Sequence, residues 1–157
     1  MRLTSKLPNV GTTIFTEMNQ LAAAHGALNL GQGFPDFDGP QLLRDALTEA
    51  MASGKNQYAP MAGLLALREQ IALKVASLYG RKVDAETDIT ITSGGTEALF
   101  AAIAAVGAPG DEGIVLDPCY DCYDPAITLQ GARAVHVPLD PGDFSVDWVR
   151  VKEAVTP

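Results

Sequence analysis

Histidine and cysteine are scarce in this chain of 157 residues, with two of each. His25 and His136 stand apart in sequence, and Cys119 and Cys122 form a single C-x-x-C. A structural zinc site needs further ligands beside such a pair, so no metal is expected. The same spacing after a strand also suits a redox pair, but the plainer expectation is two reduced, partly buried thiols. Basic residues are few as well: 11 lysines and arginines stand against 19 aspartates and glutamates, a formal charge of −8. That balance argues against a nucleic-acid or anionic-membrane surface. An anionic ligand would have to be held locally, by backbone donors. No run approaches the roughly 18 apolar residues of a membrane span. The stretch from Met1 to Pro8 lacks the apolar core of a signal peptide, so a cytoplasmic protein is expected.

What the chain does have is a globular composition, 47% hydrophobic and 19% charged, at a length suited to about one domain. Its organising stretch is Ile89-Thr90-Ile91-Thr92-Ser93-Gly94-Gly95-Thr96-Glu97. Ile89 and Ile91 alternate with threonines, which predicts a strand. From Ala98 to Val106 the sequence is alanine-rich and apolar on nearly every side, which predicts a helix buried between layers. Gly94 and Gly95 therefore sit where a strand gives way to a helix. Unpaired N–H groups at a helix start favour an anion, and a missing Cβ lets a phosphate come close. A plain connection would look much the same. The stretch is neither GxGxxG nor a P-loop.

Elsewhere, Thr12 or Thr13 is expected to cap a helix carrying Ile14, Phe15, Met18, Leu21 and Ala22, stopped by Gly26. Leu28–Leu30 predicts a short strand running into a loop punctuated by Gly31, Gly33 and Pro35, where Phe34 and Phe37 either anchor the loop or form a ligand lip. Asp38-Gly39-Pro40 opens a second helix with Leu42, Leu43, Ala46, Leu47, Ala50 and Met51 as its stripe and Gly54 as its stop. A third carries Leu64, Leu67, Ile71, Val75 and Leu78 and ends at Gly80. Both stripes are expected to be core. Strands at Ile114–Leu116 and Ala134–Leu139 flank a helix from Pro125 to Gln130, and Val146–Val155 closes the chain as an amphipathic helix. This β-α-β-α-β order predicts a three-stranded parallel sheet with covered faces, its apolar edge awaiting further strands. The expectation is the first portion of a larger protein.

Four motifs occur in order: Asn29-Leu-Gly-Gln-Gly-Phe-Pro-Asp-Phe37, Asn56-Gln-Tyr58, Thr92-Ser-Gly-Gly-Thr-Glu-Ala-Leu99 and Asp121-Cys-Tyr123. Together they resemble the class I/II aminotransferases, fold-type-I enzymes that use pyridoxal 5′-phosphate, and most the methionine, glutamine and kynurenine branch. The resemblance implies an α/β fold, the first part of the fold-type-I large domain, with a parallel-rich sheet and covering helices. It divides the chain into an N-terminal arm and small-domain segment over 1–38 and the first half of the cofactor-binding domain over 39–157. It implies that Gly94, Gly95 and Thr96 hold the cofactor phosphate and that Tyr120 stacks on the pyridine ring, where the branch often has phenylalanine. Tyr58 would reach the phosphate of a neighbouring subunit in a homodimer with shared sites. Gly33 would meet the substrate carboxylate and Phe15 would wall the side-chain pocket. Glu97, where some relatives have a small residue, is expected to face away from the phosphate.

The Schiff-base lysine and the acidic partner of the pyridine nitrogen match nothing in the chain, nor do the asparagine near the ring oxygen or the arginine for the substrate carboxylate. By the resemblance they lie beyond Pro157, and this chain alone is expected to be inactive. The whole protein would pass an amino group from an amino acid to a 2-oxo acid. A cysteine-conjugate lyase of the same fold and a non-catalytic aminotransferase-like module are the competing readings.

Overall fold

The computed structural model describes residues 4–33 and 35–156; Phe34, in the glycine-punctuated loop, lies outside the described residues. Among the described residues, six helices and two strands follow in the order α1 (Ile14–Ala24), α2 (Gln41–Ala52), α3 (Leu65–Tyr79), α4 (Gly95–Val106), β1 (Glu112–Asp117), α5 (Tyr123–Leu129), β2 (Arg133–Pro138) and α6 (Trp148–Glu153). The chain divides into two units. One comprises Ala22–Thr92, and the other the chain up to Leu21 together with everything from Ser93 onward.

In the Ala22–Thr92 unit, α2 and α3 end where glycine can enter the left-handed region. Gly54 has φ +82° and Gly80 φ +64°. The N–H of Gly80 donates to Ala76 O at 3.0 Å. The polypeptide from Gly63 to Ile91 is held by a buried arginine. Arg68 donates from Nε to Gly63 O at 3.2 Å, and from Nη1 to Ala85 O at 2.7 Å and Glu86 O at 3.2 Å. Ile91 N–H adds a bond to Ala62 O at 3.0 Å. The expected strands at Leu28–Leu30 and Ile89–Ile91 do not form. A strand exists only against a partner, and among the described residues this unit contains no ladder for either segment. The stripes expected to be core are uncovered too, with Leu42, Leu43 and Leu47 each more than 60% exposed. Among the described residues, no sheet in this unit offers a second layer for them.

In the other unit, β1 and β2 pair in parallel, from Glu112 against Arg133 to Asp117 against Pro138. The predicted three-stranded sheet is thus two-stranded among the described residues. Among the described residues its small core is Val115, Ala126 and Ile127, where α5 lies on the strands, with Val137 buried on the other face. Gly113 lets α5 come close, because a Cβ there would stand 2.8 Å from Ile127 Cδ1. Thr13 caps α1 as expected, its Oγ1 accepting from Thr16 N at 3.4 Å. Asp147 caps α6, accepting from Val149 N at 3.0 Å and Arg150 N at 3.3 Å. Helix α4 is not sandwiched: none of its residues is buried, and Val106 is 83% exposed. A hollow of about 980 Å³ runs beside it, lined by Leu99, Ile103, Ile114 and Leu116 among others. A two-stranded sheet is too narrow to cover such a helix on both sides.

Candidate functional site

Helix α4 starts one residue after Gly94, whose φ of +90° no β-branched or bulky residue would adopt without strain. Its twelve residues make a helix long enough to present a developed positive end. The N–H groups of Gly95, Thr96 and Glu97 have no helix carbonyl to bond; the ladder begins with Ala98 N donating to Gly94 O at 3.3 Å. Around Gly94 and Gly95 the space that a Cβ would take is open. The loop after β1 brings an aromatic ring to the same place. Tyr120 Oη and Thr96 Oγ1 are 3.0 Å apart, and the Tyr120 ring meets Tyr123 edge-on with centroids 6.0 Å apart. Backbone donors, two hydroxyls and a half-exposed ring fit a phosphate ester joined to a flat heterocycle.

Glu97 does not project away as expected. Its carboxylate folds back over the turn and accepts the N–H of Ser93. A carboxylate three positions into a helix is the residue that reaches back in a capping box, and the helix dipole favours it there. It therefore takes the donor just before the helix and does not use those of Gly95 and Thr96.

The structure brings Gly94, Gly95, Thr96 and Tyr120 together. Tyr58 and Gly33 belong to the Ala22–Thr92 unit; Tyr58 is fully exposed in the turn before α3, and Gly33 is open on the side a Cβ would occupy. Phe15 lies in the first turn of α1 and is partly exposed.

Sequence reading missed the ionic group beside Tyr120. Asp117 ends β1, Asp124 lies in the first turn of α5, and His136 of β2 stands between them, 2.9 Å from Asp117 Oδ2 and 3.4 Å from Asp124 Oδ2. The hydrogen bond from His136 holds the Asp117 carboxyl below its ordinary range, and the same bond raises His136. In a parallel ladder, paired residues share a face, so His136 stands with Val115 and Asp117 on the face that α5 covers. The alternation Val135-His136-Val137 was the available signal.

Cys119 and Cys122 are free thiols, each partly buried. Burial first, and then the hydrogen bond to Asp117, push the Cys119 thiol up; burial and Asp121 do the same for Cys122. Little thiolate should exist at neutral pH. Both thiols should react with a disulfide reagent several-fold more slowly than an exposed peptide thiol; reaction at the peptide rate would contradict the raised values.

Residues 25–157 match the family model for aminotransferase class I and II. The chain is similar to the methionine aminotransferase of Escherichia coli, 57% identical over 92% of this chain and 37% of that protein. It is also similar to human kynurenine–oxoglutarate transaminase 1, 36% identical over 87% of this chain and 33% of that protein. Among solved structures, an Escherichia coli protein identified with a methionine aminotransferase function superposes with a TM-score of 0.94 at 52% identity, covering 99% of this chain and 41% of that one. The chain thus spans about two fifths or less of the length of these relatives.

Proposed function

This chain belongs to the aminotransferase class I and II family, and from that premise we propose that the whole protein transfers an amino group from an amino acid to a 2-oxo acid with pyridoxal 5′-phosphate. The observation that carries the reading is the contact of Thr96 with Tyr120, 3.0 Å between hydroxyl oxygens, at the open start of α4. When bound, the cofactor supplies the electron sink for the amino transfer. Gly94 sets the turn, the N–H groups of Gly95 and Thr96 and the Thr96 hydroxyl would hold the phosphate, and the Tyr120 ring would stack on the pyridine. Stacking of that kind is worth ~0.5–1.5 kcal/mol beyond its area.

Tyr58 is assigned to the phosphate of the neighbouring subunit of a homodimer, which its full exposure supports. Gly33 is assigned to the substrate carboxylate and Phe15 to the wall of the side-chain pocket. The division into an arm and small-domain segment over 1–38 and the first half of the cofactor domain over 39–157 is part of the same proposal. So are a cytoplasmic location and methionine or an aromatic, glutamine- or kynurenine-like amino acid as donor. Among the described residues no helix is long and apolar enough to cross a membrane.

The test is amino transfer by the full-length protein. Incubated with pyridoxal phosphate, methionine and a 2-oxo acid, it should form the amino acid of the acceptor. Thr96→Val should weaken cofactor affinity by ~1.5–3 kcal/mol, the worth of a charge-assisted hydrogen bond, and Tyr58→Phe by no more than that, with dimer mass unchanged. Keto acid released without an acceptor would make the protein a lyase. Unchanged cofactor affinity in Thr96→Val would remove the phosphate assignment. A fall in thermal stability alone in Tyr58→Phe would make Tyr58 a packing residue.

A further inference from the structure

The segment from Asp117 to Asp124 carries Tyr120 from the end of β1 into α5, and both of its ends meet one imidazole. His136 Nδ1 lies 2.9 and 3.1 Å from the two Asp117 oxygens, and Nε2 lies 3.4 Å from Asp124 Oδ2. Each carboxylate has a second partner. Asp124 Oδ1 accepts from Thr128 Oγ1 at 3.0 Å, and the Cys119 thiol beside Asp117 helps to hold that carboxyl low. Ionised carboxylates only accept. A neutral imidazole has one N–H and one lone pair, so it serves one carboxylate and turns a lone pair toward the other. Only the imidazolium donates on both sides.

We propose that His136 is a positioning residue for the Tyr120 loop, clamping both of its ends while each ring nitrogen carries a proton. The inference rests on the reading that this loop faces the cofactor. The groups that face the ring are Asp117 from β1 and Asp124 from α5, with Cys119 acting through Asp117. The Asp117 bond, and then Asp124, hold the protonated form above the ordinary histidine range, against partial desolvation. For a group raised on folding, the contribution is complete below the unfolded value of about 6.5 and is lost as pH rises through the higher folded value. The shorter Asp117 contact keeps the remaining proton, and the Asp124 arm is the one that opens. On the alkaline side the loop is then held at one end only, and Tyr120 is free to leave Thr96.

Two measurements on the full-length protein test this. In the apoprotein, the ring resonance of His136 is titrated by NMR. Its midpoint should lie above about 6.5 and fall in Asp124→Asn. In the holoprotein, the release rate of pyridoxal phosphate is followed between about pH 6 and 9. Release should speed up several-fold across the midpoint. His136→Gln, with one amide donor group, should release at the fast rate throughout. His136→Arg, which donates from two edges and does not titrate here, should be slow throughout. A midpoint at or below the ordinary value overturns the clamp, and so does an alkaline step that survives in His136→Gln. If Thr96→Val holds the cofactor as tightly as the parent protein, the cofactor reading itself has failed and the clamp falls with it, whatever the His136 midpoint.

Discussion

Gly63→Ala should cost the Ala22–Thr92 unit much of its stability. Gly63 is buried at φ +93°, and a Cβ there would stand 2.3 Å from Ile91 Cγ1 and 2.6 Å from Ile91 Cβ. The first of these costs is conformational, ~1–3 kcal/mol for a side-chain residue held in a sparsely populated region. The second is steric, ~1–3 kcal/mol for overpacking a site whose neighbour presents its branch point and not a flexible tip. Together they approach the whole stability of a marginal domain, about 5–15 kcal/mol. The check is a denaturant midpoint followed by circular dichroism on the full-length protein, with Ile91→Ala added to Gly63→Ala. The double variant should recover the part due to Ile91 Cγ1, while the approach to the Cβ that alanine keeps and the conformational part remain. If Gly63→Ala alone is within experimental error of the parent, the close approach of Ile91 is wrong.

The second large effect belongs to Arg68. Its guanidinium is bonded to three backbone carbonyls, and it pairs with no carboxylate among the described residues. Hydrogen bonds from a charged donor are worth ~1.5–3 kcal/mol each, and they are not additive when one side chain makes all of them. Arg68→Met, which keeps most of the stem and removes the donors, should therefore cost ~3 kcal/mol or more, since it also leaves carbonyls without partners. Arg68→Lys should recover little. A single ammonium cannot reach both Gly63 and the Ala85–Glu86 turn with the fixed spread of a guanidinium. Hydrogen exchange over residues 85–91 is the specific readout. Those amides should lose protection in Arg68→Met, and Ile91 with its bond to Ala62 should be among them. Unchanged protection there would show that the arginine only fills space.

Arg68 also shows where reading the sequence runs short. The helical stripe around it, Leu64, Leu67, Ile71, Val75 and Leu78, was legible from its period, as were the glycine stops at Gly26, Gly54 and Gly80. Period identifies a helix because helix hydrogen bonds are local. It does not say which residue ends up covered, and in α3 the buried one is the arginine. Strands fail for the complementary reason. Ile89–Ile91 alternates and Ile114–Leu116 is an unbroken apolar run, but among the described residues only the latter has a partner in register. At the candidate site, Gly94, Gly95, Thr96 and Tyr120 were legible because four ordered motifs point to one family. The fold-back of Glu97 and the placing of His136 between two aspartates were not. Both depend on distances across a turn or a ladder that no spacing in the sequence encodes.

Strand register has a bearing on how the two-stranded sheet is assembled. Glu112 and Arg133, which open the ladder, are 21 residues apart in sequence. The entropy of closing a loop grows only with the logarithm of its length, each doubling adding about 0.6 kcal/mol, so a closure this short is among the least costly for a parallel pair. Low contact order favours rapid pairing. The segment that bears Tyr120 lies inside that closure, so the event that zips the strands together also fixes where the aromatic ring stands, and α4, which precedes β1, has only to pack beside it for Thr96 to meet the ring.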